Sequence, residues 1–333
     1  MGYLLVIAAG VLQGSFLVPM KFARRWAWEN TWLAFTASAY LIWPWIIAGA
    51  TVPHLSAVFA STSLHTLVSV ALFGLGWGLG GLTYGLGVEI LGLGLGTSII
   101  LGLSATAGAL IPLAFLSPEK LYQPQGLLTM AAMVLVLVGI TFCSWAGKLR
   151  DTEQNARQEK HTSSFATGLI ICISSGLLSS FGNLGLTFGR EVIQRATEQG
   201  AAVSMAGNSL WAFITMPVFL VNTAYCCWLL KTRRTGSRFF EPRTQLNWVL
   251  AMSMGLLWMG AFVCYAPGVR LLGPLGLSVG WAIMVSVMDI AANIAGLLTG
   301  EWKGAGRKAY VFLLGGTITL LVAISVVGYA NHL

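Results

Sequence analysis

Charge is the scarcest commodity in this sequence. Only 9% of its 333 residues are charged, where a soluble domain carries about a quarter. That is too little polar material to cover a surface in water. Disorder is excluded from the other side, because 56% of the residues are hydrophobic and disorder needs the reverse balance. Histidine is limited to four copies, and neither an HExxH pair nor a GxxxxGK loop followed by Ser or Thr occurs. Zinc hydrolysis and ATP-driven pumping therefore lack their usual residues. The five cysteines (Cys143, Cys172, Cys226, Cys227 and Cys264) lie in apolar stretches without CxxC spacing and read as small buried hydrophobes. No cofactor, no metal and no enzymatic activity are expected.

What is present is a series of apolar runs. A bilayer core takes roughly 20 apolar residues per helix, and ten such runs can be read at about 3–20, 31–51, 66–86, 92–115, 126–146, 165–187, 208–230, 246–266, 275–298 and 309–330. The first lacks a basic leader and a cleavage site, so it is expected to be a retained span. The fold class is all-α integral membrane. The net charge of +8 is distributed as on a membrane surface, which argues against a nucleic-acid partner. Connections on one side hold fifteen Lys and Arg, while the other side holds only Lys120, Arg190, Arg195 and Arg270. Basic loops face the cytoplasm, which places both termini outside.

The chain also matches itself. Tyr84-Gly-Leu-Gly-Val-Glu-Ile-Leu-Gly92 aligns with Tyr265-Ala-Pro-Gly-Val-Arg-Leu-Leu-Gly273, and Gly10, Leu12, Phe22 and Arg24 align with Gly176, Leu178, Phe188 and Arg190. The expected organisation is a five-helix repeat over 1–147, a cytoplasmic linker over 148–164 and a second repeat over 165–333. An odd number of spans per half inverts the second half, the arrangement of secondary transporters that hold substrate near the midplane. Glycines crowd the third span (Gly74, Gly76, Gly78, Gly80, Gly81, Gly85 and Gly87) and continue through Gly92, Gly94 and Gly96. They allow close helix packing in lipid, and they would also tolerate bending.

Polar residues at membrane depth are costly, which makes them the candidate functional groups. Asp289 is the one acid expected mid-span; low dielectric disfavours its charged form, so it is the candidate proton-coupling residue. Asn293 and Ser286 share its helix face. Gln13, Asn183 and Asn222 can both donate to and accept from a polyhydroxylated ligand, and Tyr84 and Tyr265 lie near span ends. Among thirteen tryptophans, Trp77, Trp258 and Trp281 lie deep enough to offer a face to a sugar ring. The candidate substrate-binding residues are thus Gln13, Trp77, Tyr84, Asn183, Trp258, Trp281 and Asn293.

Three motifs give a family resemblance. The run from Pro19-Met-Lys21 through Trp26-Ala-Trp28-Glu29 to Trp32 resembles the first loop of L-rhamnose–proton symporters, within the drug/metabolite transporter superfamily. Gly76-Trp77-Gly78 with Tyr84-Gly85-Leu86 resembles that family's third span, and Glu301-Trp302 through Gly306-Arg307 its last loop. The resemblance implies ten helices in two inverted five-helix halves. It also implies uptake of a 6-deoxy sugar with a proton, with sugar, proton and the lipid bilayer as partners in a bacterial inner membrane. The sequence departs from the family at the start of the ninth span, where residues 274–280 carry no carboxylate. Asp289 has no matching position in the family pattern. Transport of another sugar or metabolite, or export with different ion coupling, is the alternative reading.

Overall fold

The computed structural model describes residues 1–91, 93–154 and 165–333, and among them every regular element is helical. Ten helices among the described residues are long and apolar enough to cross a membrane. They are span 1 (Gly2–Phe22), span 2 (Trp28–Thr51), span 3 (Leu64–Val88), span 4 (Gly96–Leu116) and span 5 (Pro124–Thr152), followed by span 6 (Phe165–Glu198), span 7 (Gly207–Arg233), span 8 (Gln245–Leu271), span 9 (Gly276–Leu298) and span 10 (Arg307–Ala330). Two boundaries differ from the apolar reading. Span 5 stays helical through Lys148 and Arg150 into the expected linker, and Arg150 bonds its neighbour Asp151 at 2.7 Å. Residues 155–164 of that linker, with Arg157 and Lys160, and Gly92 of the glycine run lie outside the described residues.

Span 6 runs further than its apolar stretch. It breaks at Ser180 and again at Gly189, then continues as the polar helix Arg190–Glu198. Glu191 on that helix accepts hydrogen bonds from the backbone N–H and hydroxyl of Ser63, at 2.9 and 2.5 Å, and from the Thr66 hydroxyl. It thereby satisfies donors left open at the start of span 3, and this anchorage keeps a charged segment ordered. Span 1 is also interrupted: its α-helix ends at Ser15 and a 3-10 turn, Val18–Phe22, contains Pro19. Span 2 holds a π-helical turn, Ala37–Ile42, that ends two residues before Pro44. Proline has no N–H to give the preceding turn, and a wider turn accommodates that gap.

The described residues form two compact units, each drawing on both halves of the chain. The first comprises 1–14, 80–184 and 268–333, and the second 15–79 and 185–267. Within the first, spans 5 and 10 pack along their lengths, and span 4 lies against spans 5, 6 and 9. Small residues set the separations, as they do in lipid. A Cβ at Gly316 would stand 2.6 Å from the Cys143 sulfur, and one at Gly10 would stand 2.9 Å from the Met284 carbonyl. A Cβ at Gly14 would meet the Met288 carbonyl of span 9. The chain ends meet in this unit, where the Tyr3 hydroxyl donates to the Gly328 carbonyl at 3.1 Å and accepts from the Asn331 amide at 3.2 Å.

In the second unit, span 7 is the centre against which span 2 and the helix Arg190–Glu198 pack. Gly78 of span 3 faces Val218, whose Cα would lie 3.1 Å from an added Cβ. The wide turn of span 2 is held from outside. Ser38 and the Trp43 indole both donate to the Met252 carbonyl at 3.1 Å.

Candidate transport site

Span 9 builds the first cluster. Asp289 and Asn293 are one turn apart, and the Asn293 amide donates to the Asp289 backbone carbonyl at 2.9 Å and to its Oδ2 at 3.4 Å. Glu29 and Asp289 are the acids buried among the described residues. Asp289 opens onto a cavity of about 130 Å³ that is also lined by Tyr84, Thr97, Cys143, Ser144, Gly147, Arg150 and Asn293. That is room for a few waters. The Tyr84 hydroxyl reaches Thr97 at 3.5 Å, and the Cys143 thiol lies within hydrogen-bonding reach of the Asp289 carboxyl. A carboxyl so placed has partners both as acid and as anion. Three of the residues selected from sequence, Tyr84, Asp289 and Asn293, thus share one cavity.

Arg150 guards the same cavity and was not among the expected site residues. Its guanidinium pairs with Asp151, lies 3.5 Å from Glu301 and stacks 5.0 Å from the Trp302 ring centroid. In sequence it reads as one of many basic loop residues. The available signal was its spacing, since Cys143, Gly147 and Arg150 fall at i, i+4 and i+7 on one face of a helix.

Span 4 organises a second cluster in this unit. Asn183, fully buried, donates both amide hydrogens to backbone carbonyls, Gly108 at 2.7 Å and Leu277 at 3.1 Å. The Trp281 indole donates to the Ser104 carbonyl at 2.9 Å and lies where a side chain at Gly108 would be. Both residues therefore tie spans 4 and 9 together. Gln13 stands on span 1 beside Gly14, and its Oε1 is buried with no hydrogen-bond partner among the described residues. An unsatisfied buried acceptor calls for a ligand or water. The Ser144 and Ser286 hydroxyls are in the same position.

The second unit holds Trp77 and Trp258, whose ring centroids are 5.4 Å apart. Phe262 stands 5.3 Å from Trp77 and 4.6 Å from Trp258, and Tyr40 of the π-helical turn stands 4.7 Å from Trp258. The result is a continuous aromatic wall of the kind that packs against C–H surfaces. Asn222 is bound within this unit, accepting from the Trp32 indole at 3.1 Å and donating to the Val218 carbonyl at 2.9 Å. Tyr265, also in this unit, is fully buried.

Ten apolar spans, two of them broken, with a carboxyl and carboxamides held at membrane depth, define a multi-pass membrane protein of the transporter class. Residues 1–332 match the profile of the family described as RhaT, L-rhamnose-proton symport protein. The chain belongs to that family, whose members are transporters and not enzymes. It is 27% identical to an L-rhamnose-proton symporter of Cronobacter sakazakii, over 98% of this chain and 96% of the relative. Symporters of the same description from Escherichia coli and Yersinia pestis are 26% and 27% identical, over 94% of this chain and 92% of each relative. Family and ten spans together make it a multi-pass inner-membrane protein.

Proposed function

We infer that this chain carries L-rhamnose, or a related 6-deoxy sugar, inward together with a proton by alternating access. The observation that carries this reading is the family match along the full described length, joined to near-complete coverage of symporters that bear that name. In this reading Asp289 binds and releases the coupling proton. Its cavity partners Cys143 and Asn293 receive the carboxyl in either protonation state. In the first unit Gln13, Tyr84, Asn183, Trp281 and Asn293 are the polar and aromatic candidates for sugar contact; in the second unit, taken by itself, Trp77 and Trp258 are the candidate ring faces. Sugar, proton and lipid are the partners, with no nucleic acid.

The same reading takes the chain as two inverted five-helix repeats, 1–147 and 165–333, within the drug/metabolite transporter superfamily. The interruptions support it. Spans 1 and 6, which correspond in the repeat, are both broken, and interrupted helices at matching places in two halves mark transporter binding regions. The unit boundaries at 14/15 and 184/185 also fall in this pair, while those at 79/80 and 267/268 fall in spans 3 and 8, another corresponding pair. The excess of basic residues on one side supports a reading with both termini in the periplasm. A phosphatase reporter fused after Leu333 should then be active; an inactive fusion beside an active one at the 231–245 connection would reverse the orientation.

Uptake of labelled L-rhamnose into proteoliposomes is the direct test. Accumulation is expected only when the outside is acid or the inside negative, and competition should be strongest from other 6-deoxy hexoses. Gradient-independent equilibration, or no uptake of any sugar, would reject the proposal.

A further inference from the structure

The second unit carries a basic concavity that sugar transport does not use. It has a volume of about 500 Å³ and is lined by Phe22, Arg24, Arg25, Arg243, Leu246 and Asn247. It lies where span 1 ends and span 8 begins, the level of a membrane–water boundary. The turns that form it are built with care. Asn247, 2% exposed, accepts from the Arg24 backbone N–H at 3.2 Å and donates to the Arg24 carbonyl at 2.8 Å. The Arg25 guanidinium donates to the Pro242 carbonyl at 3.0 Å, and Trp26 packs edge-on against Phe239 and Trp248, at 5.1 Å from each.

Two of the arginines hold a backbone shape that side chains avoid. Arg25 has φ 66° and Arg243 has φ 65°, a left-handed region where glycine is the ordinary occupant. Such positions persist where the surrounding structure over-determines them, and they cluster at functional sites. The three guanidinium groups have no ion pair among the described residues, and no acid lines the concavity. Its walls are partly greasy, with Phe22 and Leu246 both exposed, and Trp28 and Trp248 stand exposed at the same level, as in an interfacial aromatic belt. Fixing topology requires only positive charge somewhere in a loop. A pinned, concave set of three arginines with apolar flanks requires a further explanation.

We propose that this concavity binds the phosphodiester headgroup of an anionic membrane lipid. The arginines offer forked donors to phosphate oxygens, and Phe22 and Leu246 meet the start of the acyl chains. A free phosphate shares the anionic chemistry but gains nothing from those two side chains, so the lipid is the favoured source.

The test is native mass spectrometry of the purified full chain in detergent, titrated with phosphatidylglycerol, phosphatidylcholine or inorganic phosphate. One tightly retained phosphatidylglycerol is expected, with phosphatidylcholine at least tenfold weaker and phosphate unable to displace the lipid. The Arg24→Gln/Arg25→Gln/Arg243→Gln variant should lose at least tenfold in phosphatidylglycerol affinity. A charge-matched variant elsewhere, Lys120→Gln/Arg270→Gln/Lys308→Gln, should lose little. If the triple variant does not fold, Arg24→Gln alone is measured, because its exposed side chain makes no bond within the described residues; a severalfold loss is expected. Equal retention of the two lipids, unchanged affinity in the arginine variants, or displacement by phosphate would overturn the assignment.

Discussion

Asp289→Asn is expected to abolish gradient-driven accumulation while sparing exchange of sugar across the membrane. Asparagine keeps the shape and the hydrogen bond with Asn293 but cannot take up and release a proton. One proton entering across 100 mV supplies about 2.3 kcal/mol, which supports about a 50-fold concentration ratio. The wild-type protein in proteoliposomes should approach such a ratio, and the variant should stop near equality. Counterflow of labelled sugar against unlabelled sugar separates the two steps and should persist in the variant. Accumulation in Asp289→Asn at the wild-type level would remove the residue from coupling. Loss of counterflow as well would mean that the carboxyl serves the sugar or the fold, and not the proton alone.

Gly14→Val is expected to produce a large loss of stability. The added carbons would strike the Met288 carbonyl and Ala291 of span 9. The partner atoms include backbone, which cannot swing aside, and overpacking of this kind costs about 1–3 kcal/mol. Gly81 and Gly85 form the contrast, since an added Cβ at either meets nothing within 4 Å. Alanine at these two should be neutral or raise stability by up to about 1 kcal/mol each, because glycine is a poor helix former. Thermal unfolding in detergent compares the three. Equal destabilisation by all would show that glycine acts here through something other than close packing. Unchanged stability with lost transport in Gly81→Ala would make that glycine a bending point.

The spans were legible because a run of some twenty apolar residues has one stable use in lipid, and all ten runs reappear as helices. Their interruptions were not. The apolar run passes through Ser180 without a local signal, and only Pro19 marks the change in span 1, whereas a break otherwise depends on which backbone groups find outside partners. The helix Arg190–Glu198 shows the same limit: its charge reads as a loop, and it is the packing of Val192 and Ala196 and the reach of Glu191 to Ser63 and Thr66 that make it an ordered extension of span 6. At the candidate site, the Asp289–Asn293 pair followed from helical spacing alone. Cys143 and Arg150 belong to span 5, and no local period connects them to span 9. Asn183 illustrates a chemical ambiguity, since an amide that suits a sugar hydroxyl suits a carbonyl equally well. In the fold its two hydrogens go to Gly108 and Leu277.

The first unit joins opposite ends of the chain, and that imposes an order of events during synthesis. Gly2 settles against Gly268 and Leu271, and Gly10 and Gly14 against span 9. The glycine-lined face of the opening helix therefore waits for about 270 further residues to be made before it meets these partners. At about 5–20 residues per second, that wait lasts roughly 15–50 s. During that time the bilayer itself must shelter that glycine-lined face. Shortening the chain at its far end, by removing span 10 and Asn331, would cost Tyr3 both of its partners, the Gly328 carbonyl and the Asn331 amide, while Gly2, Gly10 and Gly14 keep their seats on spans 8 and 9.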